Sequence, residues 1–181
     1  DIKTRVPSAL SEWDQLLRDE ILYVKFLQFV FEQQWSSLKK YANQRGVQIY
    51  GDMPIFVAHQ SADVWANRRL FDLDEAGQPR VVAGVPPDCF SEDGQRWGNP
   101  LYDWKAMRAD GYRWWVQRLR HSFLIFDLLR IDHFRGFEAY WEIPADQETA
   151  IVGQWVKGPG QELFDTLQHH LGELPLIAED L

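Results

Sequence analysis

A single cysteine, Cys89, excludes both an intrachain disulfide and a cysteine-built metal framework, and such sparing thiol use fits a reducing compartment. Cytoplasm is the expected location. No basic patch offsets a formal charge of −8, which argues against nucleic acid and against anionic membrane surfaces as partners. Uncharged substrates fit better. Long hydrophobic runs are also lacking: the most apolar stretch, 21–31, is broken by Lys25 and Gln28 and falls short of the roughly 20 residues that cross a bilayer. The chain opens at Asp1 with no initiator methionine, basic n-region or apolar h-region, as a chain beginning inside a longer protein would. Neither GxGxxG nor GxxxxGK followed by Ser or Thr occurs, so nucleotide-cradling loops drop out. The GxSxG nucleophile elbow is missing too.

What is present is the material of one real core: 181 residues, 45% hydrophobic and 25% charged, enough for one domain or part of one. Residues 19 to about 45 place Leu22, Phe26, Phe29, Val30, Trp35, Leu38 and Tyr41 mostly three or four apart, the spacing of a helix with one broad apolar face, closed by Gly46. A short β-prone run over 47–52 follows, ended by Pro54. The pattern repeats with a helix over about 110–123 leading into a strand at 128–132, and again with a helix over about 161–171, capped by Gly172, leading into a strand at 174–178. Three helix-then-strand units with nearly continuous apolar strands predict an α/β fold with a parallel sheet and crossover helices. In such folds the C-terminal strand ends carry the active site, and here those ends carry Asp52, Asp132 and Glu179.

Between the first two units, 58–105 shows no sustained period and is dense in Pro, Gly and aromatics; it reads as an ordered loop with a short helix, laid over a site. After the strand at 128–132, a loop through Pro144 and Gly158–Gly160 is expected. Of the nine tryptophans, Trp35 and Trp115 lie on helix faces and are expected in the core, whereas Trp97 sits in the Gly/Pro-flanked GQRWGNP. An exposed aromatic face suits the apolar face of a sugar ring, and Gln95 and Asn99 beside it offer donors and acceptors for hydroxyls. His59 is expected to be structural.

The chemistry centres on 128–137, LLRIDHFRGF. Side chains two apart on a strand share a side, so Arg130 and Asp132 face one space, where a guanidinium favours the ionised carboxylate that a nucleophile needs. An isolated Arg-Ile-Asp is more often a structural pair; acids at three strand ends shift the balance toward chemistry. Carboxylates on neighbouring parallel strands can sit about 5 Å apart, the spacing of retaining glycoside chemistry. Metal catalysis is disfavoured, because Asp132 and His133 point to opposite faces of an extended run and His169 and His170 diverge on a helix. No cofactor is called for.

Together RIDHFRGF, GDMPIFVA, SADVW, GVPPDCFSEDGQRWGNPLYDW and IAEDL resemble the 4-α-glucanotransferases, or amylomaltases, of glycoside hydrolase family 77, over nearly the whole chain. The resemblance implies part of a (β/α)8 barrel, roughly strands three to five with an inserted region over 58–105, acting on maltooligosaccharides and other α-1,4-glucans. It implies Asp132 as nucleophile and Glu179 as general acid/base, with Arg130 and His133 flanking the nucleophile, Asp52 in the donor-side pocket, and Gln95 and Trp97 in a loop covering bound glucan. Two residues depart from the family pattern: Cys89 stands where tyrosine is usual and Gln60 where aspartate is frequent. A third carboxylate and the strands that close the barrel are expected beyond Leu181, in the remainder of a parent chain. An α-amylase-like hydrolase and an inactive glucan-binding fragment remain the alternatives.

Overall fold

The computed structural model describes residues 1–179. Its helices are α1 (Pro7–Leu16), α2 (Arg18–Asn43), α3 (Ala62–Ala66), α4 (Trp104–Ala109), α5 (Arg113–Ile125) and α6 (Gln161–Leu171). Its strands are β1 (Tyr50–Pro54), β2 (Val81–Val85), β3 (Gln95–Pro100), β4 (Leu128–Asp132), β5 (Ala139–Pro144), β6 (Gln154–Lys157) and β7 (Leu176–Ala178). Short 3-10 turns follow α3 at Arg68–Leu70 and β4 at Phe134–Phe137.

The parallel sheet runs β1-β4-β7, as the three repeated units predict. Alternation along β4 sends Leu129 and Ile131, both fully buried, toward the helices and leaves Leu128, Arg130 and Asp132 on the other face. In β1, Met53 joins the same core while Tyr50, Asp52 and Pro54 share the opposite face. Behind the sheet lie Trp115 and Leu119 of α5 and Leu163 and Leu167 of α6, residues one helical turn apart that form one apolar stripe per helix. α5 starts from the left-handed pair Gly111 and Tyr112, and α6 is bracketed by Gly160 and Gly172, both at positive φ. Those breaks set the helices' lengths.

A second sheet, antiparallel and ordered β3-β2-β5-β6, takes two strands from the connection after β1 and two from the connection after β4. The stretch 58–105 is therefore not loop alone, and 139–157 is a hairpin where loop is expected. These strands escape a periodicity reading because their faces are mixed: the three central residues of β2 are all buried, and β3 carries Arg96, Gly98 and Asn99. The β5–β6 pairing extends past the strand ends. Gly158 N–H donates to the Glu138 carbonyl at 2.8 Å, and its Cα packs so closely on the Phe137 carbonyl that a Cβ has no room.

α1 and α2 bury no residue among those described, and α2 joins the rest through polar contacts at its C-terminal half. Trp35 Nε1 donates to the Ile125 carbonyl, and the Lys39 ammonium reaches the carbonyls of Phe123, Leu124 and Phe126, capping the end of α5. Asp127 accepts from the Ile49 N–H at 2.7 Å and from Asn43, and that main-chain hydrogen bond holds its carboxyl below the ordinary aspartate value. The start of β1 is fixed there. Trp115 is core, as expected, whereas Trp35 is only partly buried and lies outside the core, because α2 rests on the end of α5 at the Ile125 carbonyl and Phe126; His59 Nε2 lies 2.8 Å from the Gly77 carbonyl oxygen. Among the described residues no helix is long and apolar enough to cross a membrane.

Candidate active site

Register places the site. Asp52 pairs across the ladder with Arg130, and Pro54 with Asp132, so Asp52 lies two residues below the strand end, level with the guanidinium. Arg130 Nη1 donates to both Asp52 oxygens, at 2.8 and 3.0 Å, and Nη2 donates to Asp132 Oδ1 at 2.9 Å. Nη2 also lies 3.7 Å from Glu179 Oε1. One guanidinium thus bridges carboxylates of three adjacent parallel strands, and the shared face expected for Arg130 and Asp132 is observed. The planar fork suits this, since its N–H groups diverge toward separate acceptors.

Glu179 is the most enclosed of the three acids, with 11% of its side chain accessible against 51% for Asp132 and 60% for Asp52. Four polar contacts hold it. Its N–H donates to the Ile131 carbonyl, its carbonyl accepts from the Phe134 N–H, its Oε2 accepts from the His133 N–H at 2.7 Å, and its Oε1 faces Arg130. The His133 N–H can reach Glu179 because the chain turns left-handed directly after β4, with His133 at φ 57 and ψ 47. The imidazole itself turns inward. It lies edge-on to Trp97 with ring centroids 4.9 Å apart, packs near Phe56, and its buried Nε2 has no hydrogen-bond partner among the described residues. Burial pushes its pKa below the ordinary histidine value, against the pull of the Glu179 and Asp132 carboxylates.

Above the acids lies a cleft of about 460 Å³, walled by Gln95 and Trp97 from β3, Trp155 from β6, and Arg135, with Asp132, His133 and Glu179 at its floor. A smaller cavity of about 210 Å³ adjoins it, sharing Trp97, Asp132 and His133 and adding Asn99 and Phe56. All eight residues singled out from the sequence therefore converge on one region. Gln95 also fixes the indole: its Oε1 accepts from Trp97 Nε1 at 3.1 Å. Arg135 and Trp155 were not anticipated. They stack as a cation–π pair, guanidinium carbon 4.1 Å from the ring centroid. Their signals were present: Arg135 lies three residues beyond Asp132, and Trp155 precedes a Gly-Pro-Gly. Cys89 is exposed in the connection between β2 and β3. Among the described residues no three His, Cys, Asp or Glu side chains are grouped to hold a metal ion.

Fold and site define an α/β protein whose parallel sheet gathers acids around one arginine beneath a cleft walled by tryptophans. The chain belongs to the 4-alpha-glucanotransferase family, glycoside hydrolase family 77, whose model matches residues 1–181. It is 55% identical over 181 residues to the 4-alpha-glucanotransferase of Streptococcus pneumoniae, covering 100% of this chain and 36% of that protein. With the Thermus thermophilus 4-alpha-glucanotransferase it shares 53% identity over 180 residues, 99% of this chain and 36% of the relative. Identity to the chloroplastic/amyloplastic enzyme of Solanum tuberosum is 49%, over 99% of this chain and 31% of the relative. Among solved structures, amylomaltase from Streptococcus agalactiae in complex with acarbose superposes with a TM-score of 0.96 at 48% identity, covering 99% of this chain and 36% of that one. The chain thus spans about a third of the length of the relatives it matches.

Proposed function

We propose that this chain is the catalytic segment of a 4-α-glucanotransferase that moves α-1,4-glucan segments between maltooligosaccharides with retention of configuration. The observation that carries the reading is the bridging of Asp132 and Glu179 by Arg130 Nη2 at 2.9 and 3.7 Å. That shared nitrogen keeps the two carboxylates side by side beneath the cleft, an arrangement compatible with the roughly 5–5.5 Å separation of retaining pairs.

In the first step Asp132 attacks the anomeric carbon of the donor glucan, forming a glycosyl ester, while Glu179 gives its proton to the departing 4-oxygen. In the second the 4-hydroxyl of an acceptor glucan attacks that carbon, Glu179 takes back the proton, and Asp132 leaves as carboxylate. Arg130 aims the Asp132 carboxylate, and Asp52 holds Arg130 from the other side. Because Glu179 Oε2 already accepts the His133 N–H, the transferable proton belongs on Oε1. Trp97 and the antiparallel sheet shield the ester from water, and the indole offers a face to a glucose ring. The inserted region 58–105 and the strands around it form the third-to-fifth portion of a (β/α)8 barrel, the remainder of which the rest of the parent chain supplies. The expected site of action is the cytoplasm.

The test is the product pattern of the full-length protein with maltotriose. Glucose with maltopentaose and longer chains identifies a transferase; glucose and maltose alone identify a hydrolase and overturn the reading. Asp132→Asn in the same protein is expected to abolish turnover with the fold intact.

A further inference from the structure

A second guanidinium, partly buried, lies outside the carboxylate cluster. Arg118 of α5 lies behind the sheet, on the helix side, between Trp114 and Trp115, whose ring centroids are 5.1 and 5.0 Å from its central carbon. Its hydrogen bonds go to main chain and to one phenol: Nη2 donates to the Pro54 carbonyl at 2.7 Å, Nη1 to the Ile55 carbonyl at 3.0 Å, and Nη1 reaches Tyr102 Oη at 3.4 Å. Tyr102 Oη itself donates to the Ile55 carbonyl. Asp63 acts on Arg118 through space. A partly buried cation held by neutral oxygens is weak evidence of a stabilising role, since an apolar side chain of similar size commonly serves as well. What an arginine adds is fixed geometry at two successive carbonyls.

Those carbonyls mark where β1 ends and the site begins. The Ile55 peptide is gripped on both sides, its oxygen by Arg118 and Tyr102 and its N–H by the Asp132 carbonyl at 3.2 Å. The next residue, His133, gives its N–H to Glu179. A continuous path of hydrogen bonds and peptide units therefore leads from Arg118 through Ile55 and Asp132 to Glu179. We propose that Arg118 is a positioning residue for the transfer reaction, locking the end of β1 so that Asp132 and Glu179 keep their mutual placement; this rests on the roles assigned above to those two acids.

The full-length protein tests it with Arg118→Met, Arg118→Lys and Tyr102→Phe. Arg118→Met is expected to lower kcat for maltotriose disproportionation about 10²-fold, the loss that a displacement of about 1 Å produces, with KM within about threefold of wild type. Arg118→Lys, which restores a donor to the same carbonyls, should recover at least half of that loss on a logarithmic scale. A purely structural role would lower the folded fraction and leave kcat per folded molecule unchanged, so that result overturns the proposal, as does a lysine variant no better than methionine. Amide exchange gives a readout free of substrate: Arg118→Met should speed exchange at 55 and at 131–134 while leaving α6 as it was. Unchanged exchange at both segments overturns the proposal even if maltotriose proves not to be a substrate, an outcome that by itself sinks only the functional reading. If Arg118→Met does not fold, Tyr102→Phe decides. Loss of its one hydrogen bond to Ile55 should cost about fivefold in kcat, and wild-type kcat with wild-type exchange at Ile55 overturns the claim.

Discussion

Arg130 stands among three carboxylates and can balance the charge of one. In the proposed mechanism Glu179 is the one of the three that delivers the proton. Glu179→Gln in the full-length protein should therefore slow natural glucans by about 10²–10⁴-fold, the usual size of general acid–base catalysis, and slow donors with activated leaving groups far less. Equal slowing of both donor types would show that Glu179 is not the proton donor. His133 makes a different demand. Desolvation is the largest influence on its imidazole and sets it below 6.5, with Arg135 acting in the same direction and the Glu179 and Asp132 carboxylates opposing. The unfolded chain then binds a proton before the folded one does, so stability is complete above about 6.5 and is lost as pH falls from there to the lower folded value. Denaturant midpoints at pH 7.5 and 5.5 should fall more steeply for wild type than for His133→Gln. Parallel slopes would mean that the ring is protonated equally in both states.

Among the elements, β3 has the most direct effect on the proposed chemistry, since it sets Trp97 against His133 and over the acids. Trp97→Ala should raise the ratio of hydrolysis to transfer as well as weaken glucan binding, measured as free glucose against longer oligosaccharides from maltotriose. A ratio equal to wild type would leave the indole a packing role only. How far elements could be read from sequence follows from where each buries itself. β4 and α6 have the predicted bounds, because β4 packs one face on helices and α6 has glycines at both ends. β1 begins three residues later than expected and ends two later: Asp127 captures the Ile49 N–H, and the ladder begins at Tyr50. α1 announced itself only through Pro7 in its first turn, and it buries no residue whose spacing could reveal it. The antiparallel strands pair across gaps in the sequence such as Val82 with Ile143, and no local pattern encodes such a partner. Site residues were legible where a strand placed them at a known period, as for Arg130 and Asp132. Arg118 was not, because its function depends on carbonyls 63 and 64 residues away.

At the scale of the molecule, the parallel sheet has β1 and β7 as its edges and a polar face bearing Asp52, Arg130 and Asp132, while α2 leaves Leu22, Phe26 and Phe29 exposed. A sheet with open edges and an uncovered apolar helix is a template for association. The 181-residue chain expressed alone is expected to self-associate or pack loosely and to show no disproportionation. A monomer with one cooperative thermal transition would contradict this. The antiparallel sheet carries a different implication. Its outer strands come in hairpins from two separate connections, and the central pair, β2 with β5, joins one hairpin to the other. If either hairpin were deleted, its partner would be left with a bare inner edge. Descent should therefore treat the two as one heritable unit: lineages should gain, lose or remodel them together, and length variation should gather at the tip around Phe90, which is 94% exposed.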